Sequence, residues 1–346
     1  MKKALRLTAV CVALGWTGML LAQAGTTAPA PQGSTPQPAA KQAPLQLHSL
    51  NPDTIADPFP PVNLKFFTAD SPSVATVDSY LHAVLGYDPN RIWRVIAIQT
   101  TPAAGVSKVT ALVSEKTANA KVQQAIFFVL SDGKHLIADT SGVLPFGADP
   151  YAGNRAVVQA RATGPWHGAP WKGLMLVEFA DLQCPHCKDA QATMKRLAED
   201  FPQARIVYES LPLVDIHPFA EKSALYGVCV AKKSNDAFFT YAQAVYDMQS
   251  QLTPETGDKT LNDAVTKAGA DPAAVAACAA TPEAKSTVDA STKLAGDLGV
   301  DQTPMLMVNG RLIPLGGVPY ETLKQIVAFQ AGMDGVSLPV TAPLAK

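Results

Sequence analysis

At 346 residues with 47% hydrophobic content, the chain is long enough for about two packed domains. Its 28 Lys and Arg stand against 29 Asp and Glu, a formal charge of −1. That balance leaves no electrostatic footprint for nucleic acid or an anionic membrane surface.

Residues 1–24 read as an export signal. Lys2, Lys3 and Arg6 make a positive start, Leu7 to Leu21 an apolar core, and Ala22-Gln23-Ala24 a small-residue cleavage site. The core is shorter than the roughly 20 residues a spanning helix needs, which favours cleavage over a retained anchor. Cys11 lies too deep in that core for a lipidation site and leaves with it. Cleavage leaves 322 residues with 25 basic against 29 acidic side chains, a charge of −4. Four cysteines remain, Cys184, Cys187, Cys229 and Cys278; an even count in an oxidising compartment permits two disulfides.

Residues 25–44 are Pro, Ala, Gln, Thr and Ser with no apolar period, a linker too polar to order itself. A cysteine-free block, 45–153, follows. In "SPSVATVDSYLHAVLGYDP", Ser71 is the expected N-cap, Pro72 the first helical residue and Gly86 the stop. Three strand-like runs come next, "RIWRVIAIQT", "VSKVTALVSE" and "KVQQAIFFVL", and the Asp132-Gly133 turn leads into "KHLIAD". The block is expected to be a small α+β domain, one helix on an antiparallel sheet, with His82 and His135 structural.

The third block, 154–340, is expected to be α/β. "LMLVEFA" has the continuous apolar character of a strand buried on both faces, and a helix follows with Ala190, Met194, Leu197 and Phe201 inward. "ARIVYESLPL" is a second strand, and Ala-rich helical patterns fill an insert of about 215–299. His217 is expected at a helix start within it. "PMLMVNG" and "RLIPLG" form a hairpin at Asn309-Gly310, and "YETLKQIVAF" closes the domain. His167, Trp166 and Trp171, near the domain junction, are expected to serve packing.

Cys184 and Cys187 stand where the first strand hands over to its helix. Free N–H groups and the positive end of the dipole at that point stabilise a thiolate on Cys184. A protonated His186 adds positive charge, and Pro185 tightens the turn. Cys184 is then the attacking sulfur and Cys187, one turn inside, the resolving one. Favouring the ionised thiol stabilises the reduced pair and makes its disulfide the stronger oxidant. Zinc would need two further ligands, which Cys229 and Cys278 with no flanking histidine do not supply. A structural staple would close almost no loop.

The stretch "EFADLQCPHC" resembles the DsbA-like thiol:disulfide oxidoreductases of the thioredoxin superfamily, over about residues 154–332. The resemblance implies a thioredoxin fold with a helical insertion, and Glu178 as the buried acid that relays protons to the resolving thiol. It implies a cis-proline loop at Thr303-Pro304 in "GVDQTPMLMVNGR" that receives an extended substrate, and a structural disulfide between Cys229 and Cys278 inside the insert. The hairpin "FFVLSDGKHLIAD" of the amino-terminal block resembles instead the dimerisation domain of the DsbC and DsbG isomerases. The expected activity is thiol:disulfide exchange in the periplasm or cell envelope, with the cysteine pair as the only redox group, no metal and no organic cofactor. Expected partners are folding exported proteins and a membrane partner that resets the dithiol. The expected role is that of an oxidant donating its disulfide; the alternatives are a dimeric isomerase or reductase and a chaperone-like binding protein.

Overall fold

The computed structural model describes residues 57–117, 120–138 and 143–338. The expected export signal and the 25–44 linker lie outside them.

In the amino-terminal unit, α1 (Val74–Leu85) presents Val77, Leu81 and Leu85 to a sheet core. The helix begins two residues later than the sequence suggested: Ser73 is the cap, its Oγ accepting from Thr76 N at 3.1 Å, and Pro72 lies outside. Ser73, in extended backbone at φ −72° and ψ 157°, thereby satisfies one of the free N–H groups of the first turn. The strands β1 (Arg91–Thr100), β2 (Ser107–Glu115), β3 (Gln123–Val129), β4 (His135–Ile137) and β5 (Val143–Pro145) form an antiparallel meander in chain order. Gly133, at φ 65°, makes the expected turn, with Asp132 Oδ1 accepting from Lys134 N and His135 N. Strand β5 carries too few residues for an alternating pattern and was not foreseen. Ile126 and Phe128, on the sheet face away from α1, remain 43% and 38% exposed.

The second unit opens with α2 (Ala152–Arg161) and β6 (Trp166–Gly168). The sequence reading missed both, because α2 buries only Val158 and β6 is three residues long. Then come β7 (Met175–Ala180), α3 (Pro185–Asp200) and β8 (Arg205–Ser210). The insert follows as α4 (Ala220–Ala231), α5 (Asn235–Asp247), α6 (Gly257–Lys267), α7 (Pro272–Ala279) and α8 (Pro282–Asp297). The chain returns through β9 (Met305–Val308), β10 (Arg311–Pro314) and α9 (Tyr320–Met333).

The second sheet has the order β10-β9-β7-β8-β6, with β7 and β8 parallel. Strand β7 lies inside it and is buried at all six positions. Its Leu176, with Leu306 and Val308 of β9, packs on Ala190, Met194 and Leu197 of α3 and Leu323, Ile326 and Val327 of α9. Its Met175, Val177 and Phe179 pack on α2 and α8 through Val158, Leu294 and Ala295. Two covered faces explain the unbroken apolar run. The β9–β10 turn is Asn309 at φ 44° and Gly310 at φ 91°. Residue 310 must be glycine on two counts, since a Cβ there would stand 2.5 Å from Arg155 N and Tyr151 O.

Arg311, 9% exposed, joins the two units. Its guanidinium donates to the carbonyls of Ala83 (3.4 Å) and Val84 (2.9 Å) at the carboxyl end of α1. The rings of Tyr87 and Tyr151 lie 4.9 and 5.4 Å from it. A cation at a helix carboxyl terminus satisfies its free carbonyls and opposes its dipole.

Candidate active site

Beyond Ala180 the chain leaves the sheet through Asp181, Leu182 and Gln183, and Cys184 becomes the N-cap of α3 with Pro185 at its first position. The Cys184 carbonyl accepts from Cys187 N (3.1 Å) and Lys188 N (3.2 Å), closing the first turn. Cys184 is 4% exposed and Cys187 fully buried; both are free thiols. Pro185 and His186 face solvent.

The Cys184 thiol is brought down to about 5. A hydrogen bond from the Cys187 thiol is the largest cause, followed, against the cost of burial, by the Thr303 side chain and the N–H groups of Cys187 and His186. His186 thus acts on the sulfur through its main chain. Burial, and then the neighbouring Cys184 sulfur, pushes Cys187 far above the ordinary thiol range. One sulfur of the pair is held ionised at neutral pH while the other keeps its proton.

Thr303 and Pro304 stand opposite the pair. Their peptide bond is cis, and Cys184 Sγ lies 3.9 Å from the Thr303 carbonyl oxygen. Thr303 Oγ1 is buried without a hydrogen-bond partner of ordinary geometry, a donor within reach of whichever sulfur carries charge.

Beneath the pair, Glu178 on β7 is 4% exposed. Burial raises its carboxyl to about 7, against a hydrogen bond from Gln191 that lowers it. Gln191 Nε2 lies 2.9 Å from Glu178 Oε1 and 3.0 Å from the Cys187 carbonyl. Glu178 pairs across the sheet with Tyr208, whose hydroxyl lies 3.5 Å from that of Tyr246.

The loop into the cysteines is clamped by Asp181 and Gln249, which sequence reasoning did not single out, and by His217, which it placed only at a helix start. Asp181 Oδ2 accepts from Leu213 N (3.0 Å) and sits 2.7 Å from His217 Nδ1, and Oδ1 accepts from Gln183 N (2.8 Å). The Asp181 N–H points to Cys187 Sγ at 3.4 Å. Gln249, just past α5, donates to the carbonyls of Leu182 and Cys184, each at 3.0 Å. His217 precedes α4 by three residues, near the helix start expected of it, and pairs with this buried carboxylate. His167 packs edge-on against Phe239, ring centres 4.6 Å apart.

Cys229 of α4 and Cys278 of α7 are disulfide-bonded across the insert. Among the described residues no group of three or more His, Cys, Asp or Glu could hold a metal ion, and no helix is long and apolar enough to cross a membrane.

Residues 161–328 match the family model described as Thioredoxin. This segment is a thioredoxin-superfamily domain. The thioredoxin domain is similar to a periplasmic thioredoxin-like protein from Salmonella enterica serovar Typhimurium, at 23% identity over 52% of this chain and 96% of that one, with a TM-score of 0.42. It is also similar to the thiol-disulfide exchange protein alpha-DsbA2 from Wolbachia pipientis, at 20% identity over 51% and 94% of the two chains, with a TM-score of 0.44. A stretch of 79 residues is 33% identical to part of the Na(+)/H(+) antiporter NhaA 3 of Salinispora tropica. That match spans 23% of this chain and only 12% of the antiporter.

Proposed function

We propose that this chain is an exported thiol:disulfide oxidoreductase that passes its Cys184–Cys187 disulfide to folding proteins. The observation that carries the reading is the split within one helical turn, a thiol brought to about 5 beside one pushed far above its ordinary range.

In the oxidising direction a client thiolate attacks Cys184 Sγ, and the S–S electron pair leaves on Cys187. That sulfur takes a proton from the Glu178 carboxylic acid. A second client thiolate then attacks the client sulfur of the mixed disulfide and displaces Cys184 as a stabilised thiolate. The client loses two electrons, the pair gains them, and a membrane partner draws them off. Thr303 and Pro304 line the approach to Cys184. The insert is braced by the Cys229–Cys278 bond, and residues 1–24 direct export to the periplasm or cell envelope.

Measuring the pair's reduction potential tests the direction. A value near about −120 mV fits an oxidant, and one near about −270 mV a reductase. The second reading, a dimeric isomerase or reductase, is favoured by the antiparallel sheet preceding the thioredoxin domain, with Ile126 and Phe128 exposed on its outer face. Light scattering that shows a stable dimer, lost in an Ile126→Lys, Phe128→Lys variant, would select it. Refolding of a thiol-free client that persists in Cys184→Ser would point to a chaperone-like binder.

A further inference from the structure

Gln191 lies one turn beyond Cys187 on α3 and is half-buried. Its Nε2 makes two hydrogen bonds at once, to the Glu178 carboxylate on β7 and to the carbonyl of Cys187. Both partners are acceptors when Glu178 is ionised. The amide must therefore turn its NH2 end, with two hydrogens, toward them; reversed, it would set a carbonyl against two acceptors. One side chain thus ties the buried acid on the strand to the helical turn that carries the buried sulfur.

We propose that Gln191 is the positioning residue that holds the Glu178 carboxyl in place for proton exchange with Cys187 and fixes the pH range over which it serves. The proposal rests on the reading above, in which Glu178 gives a proton to Cys187 or takes one from it. A hydrogen bond to an ionised carboxylate is stronger than one to its neutral form, so Gln191 favours ionisation inside a site whose burial opposes it. In the reverse, reductive direction the Cys187 S–H proton passes to the Glu178 carboxylate. The Cys187 sulfur then bonds to Cys184 Sγ, and the client leaves as a thiolate with the electron pair of the broken mixed disulfide. Without the tie the carboxylate is scarcer and that step is slower at neutral pH. The attack of Cys184 on a client disulfide needs no proton from Glu178 and is unaffected.

The test uses the full chain, reduced, with glutamate labelled at the side-chain carboxyl carbon, and follows Glu178 by NMR against pH in wild type and Gln191→Met. A preformed mixed disulfide at Cys184 gives the rate of client release, and alkylation gives the Cys184 profile. In Gln191→Met the Glu178 midpoint should rise by about one unit and release at pH 7 should fall by about fivefold, with the Cys184 profile unchanged. Should that variant fail to fold, Gln191→Glu decides. It keeps the length, replaces the donor with a second carboxyl, and should also raise the midpoint, since two adjacent carboxyls cannot both ionise at their ordinary pH. Coincident Glu178 titrations in wild type and variant overturn this proposal alone. A wild-type chain with no exchange activity overturns both it and the function it rests on.

Discussion

His217 Nδ1 lies 2.7 Å from the fully buried Oδ2 of Asp181, 36 residues earlier in the chain. Two backbone N–H groups, those of Leu213 and Gln183, complete the shell of that carboxylate. The insert's first loop is thereby tied to the residue whose own N–H points at Cys187 Sγ. Asp181→Ala leaves three half-buried donors in two loops without their acceptor and should cost about 3 kcal/mol or more. His217→Ala leaves the carboxylate its two backbone donors and should cost less. Urea unfolding of the two variants checks the order, and Asp181→Ala should also speed alkylation of Cys187.

Cys184 should alkylate with a midpoint near pH 5, the value its surroundings give it. An unfolded cysteine titrates near about 8.5, so the folded pKa is the lower of the two. The stability gained by the reduced protein is then fully present above the unfolded value and fades as pH falls through 5. The disulfide form has no thiolate and gains none of it. Reduced minus oxidised stability, from paired thermal melts, should rise from pH 4 to pH 8. Thr303→Val removes a donor that lowers this thiol, and its alkylation midpoint should move up by about half a unit to one unit.

Glu178 sets function against stability. Its carboxyl is raised to about 7, so ionising it costs folding free energy as pH climbs from about 4.5 through 7. Glu178→Gln should therefore be more stable than wild type at pH 8, by about 2 to 3 kcal/mol, and no different at pH 4. The same variant should release clients from mixed disulfides more slowly and lose the pH dependence centred near 7. Denaturant curves at the two pH values, with single-turnover release, test both halves.

The Cys229–Cys278 bond closes a loop over a separation of 49 residues. Chain-entropy reasoning gives its removal a cost of about 4 kcal/mol. A Cys229→Ala, Cys278→Ala double variant should melt lower yet keep the Cys184 alkylation midpoint, because neither sulfur belongs to the redox pair. A moved midpoint would mean that the Cys229–Cys278 bond helps to set the links by which the insert holds the active turn, those of His217 and Gln249.

The places of the cysteine pair at the start of α3, of Glu178 on β7 and of the Thr303-Pro304 loop before β9 were legible in the sequence, because each sits in a short motif that marks a fixed position in the fold. The sequence also foretold the strand, helix and insert order, since β7 and α3 carry clean apolar patterns. Asp181, Gln249 and the partner of His217 were not legible. The bonds from Asp181 to His217 and from Gln249 to Cys184 join residues 36 and 65 apart in sequence, and a side-chain hydrogen bond across such a gap leaves no periodicity to read. Gln191 did leave a trace: four residues past Cys187, it falls on the same helical face, a spacing that marks such a residue without naming its partner. The start of α1 was misplaced because two serines flank one proline, and only backbone geometry chooses between them.

Arg311 sits at the β9–β10 turn, where Val308 pairs with Leu176 near the start of β7, whereas the cysteines follow that strand's other end. The amino-terminal unit is therefore moored at the opposite pole of the sheet from the sulfurs. A polypeptide reaching from the Arg311 mooring to Cys184 would have to bridge the length of β7, about 20 Å. That is six or so extended residues, a minimum tether below which one molecule cannot be held at both poles at once.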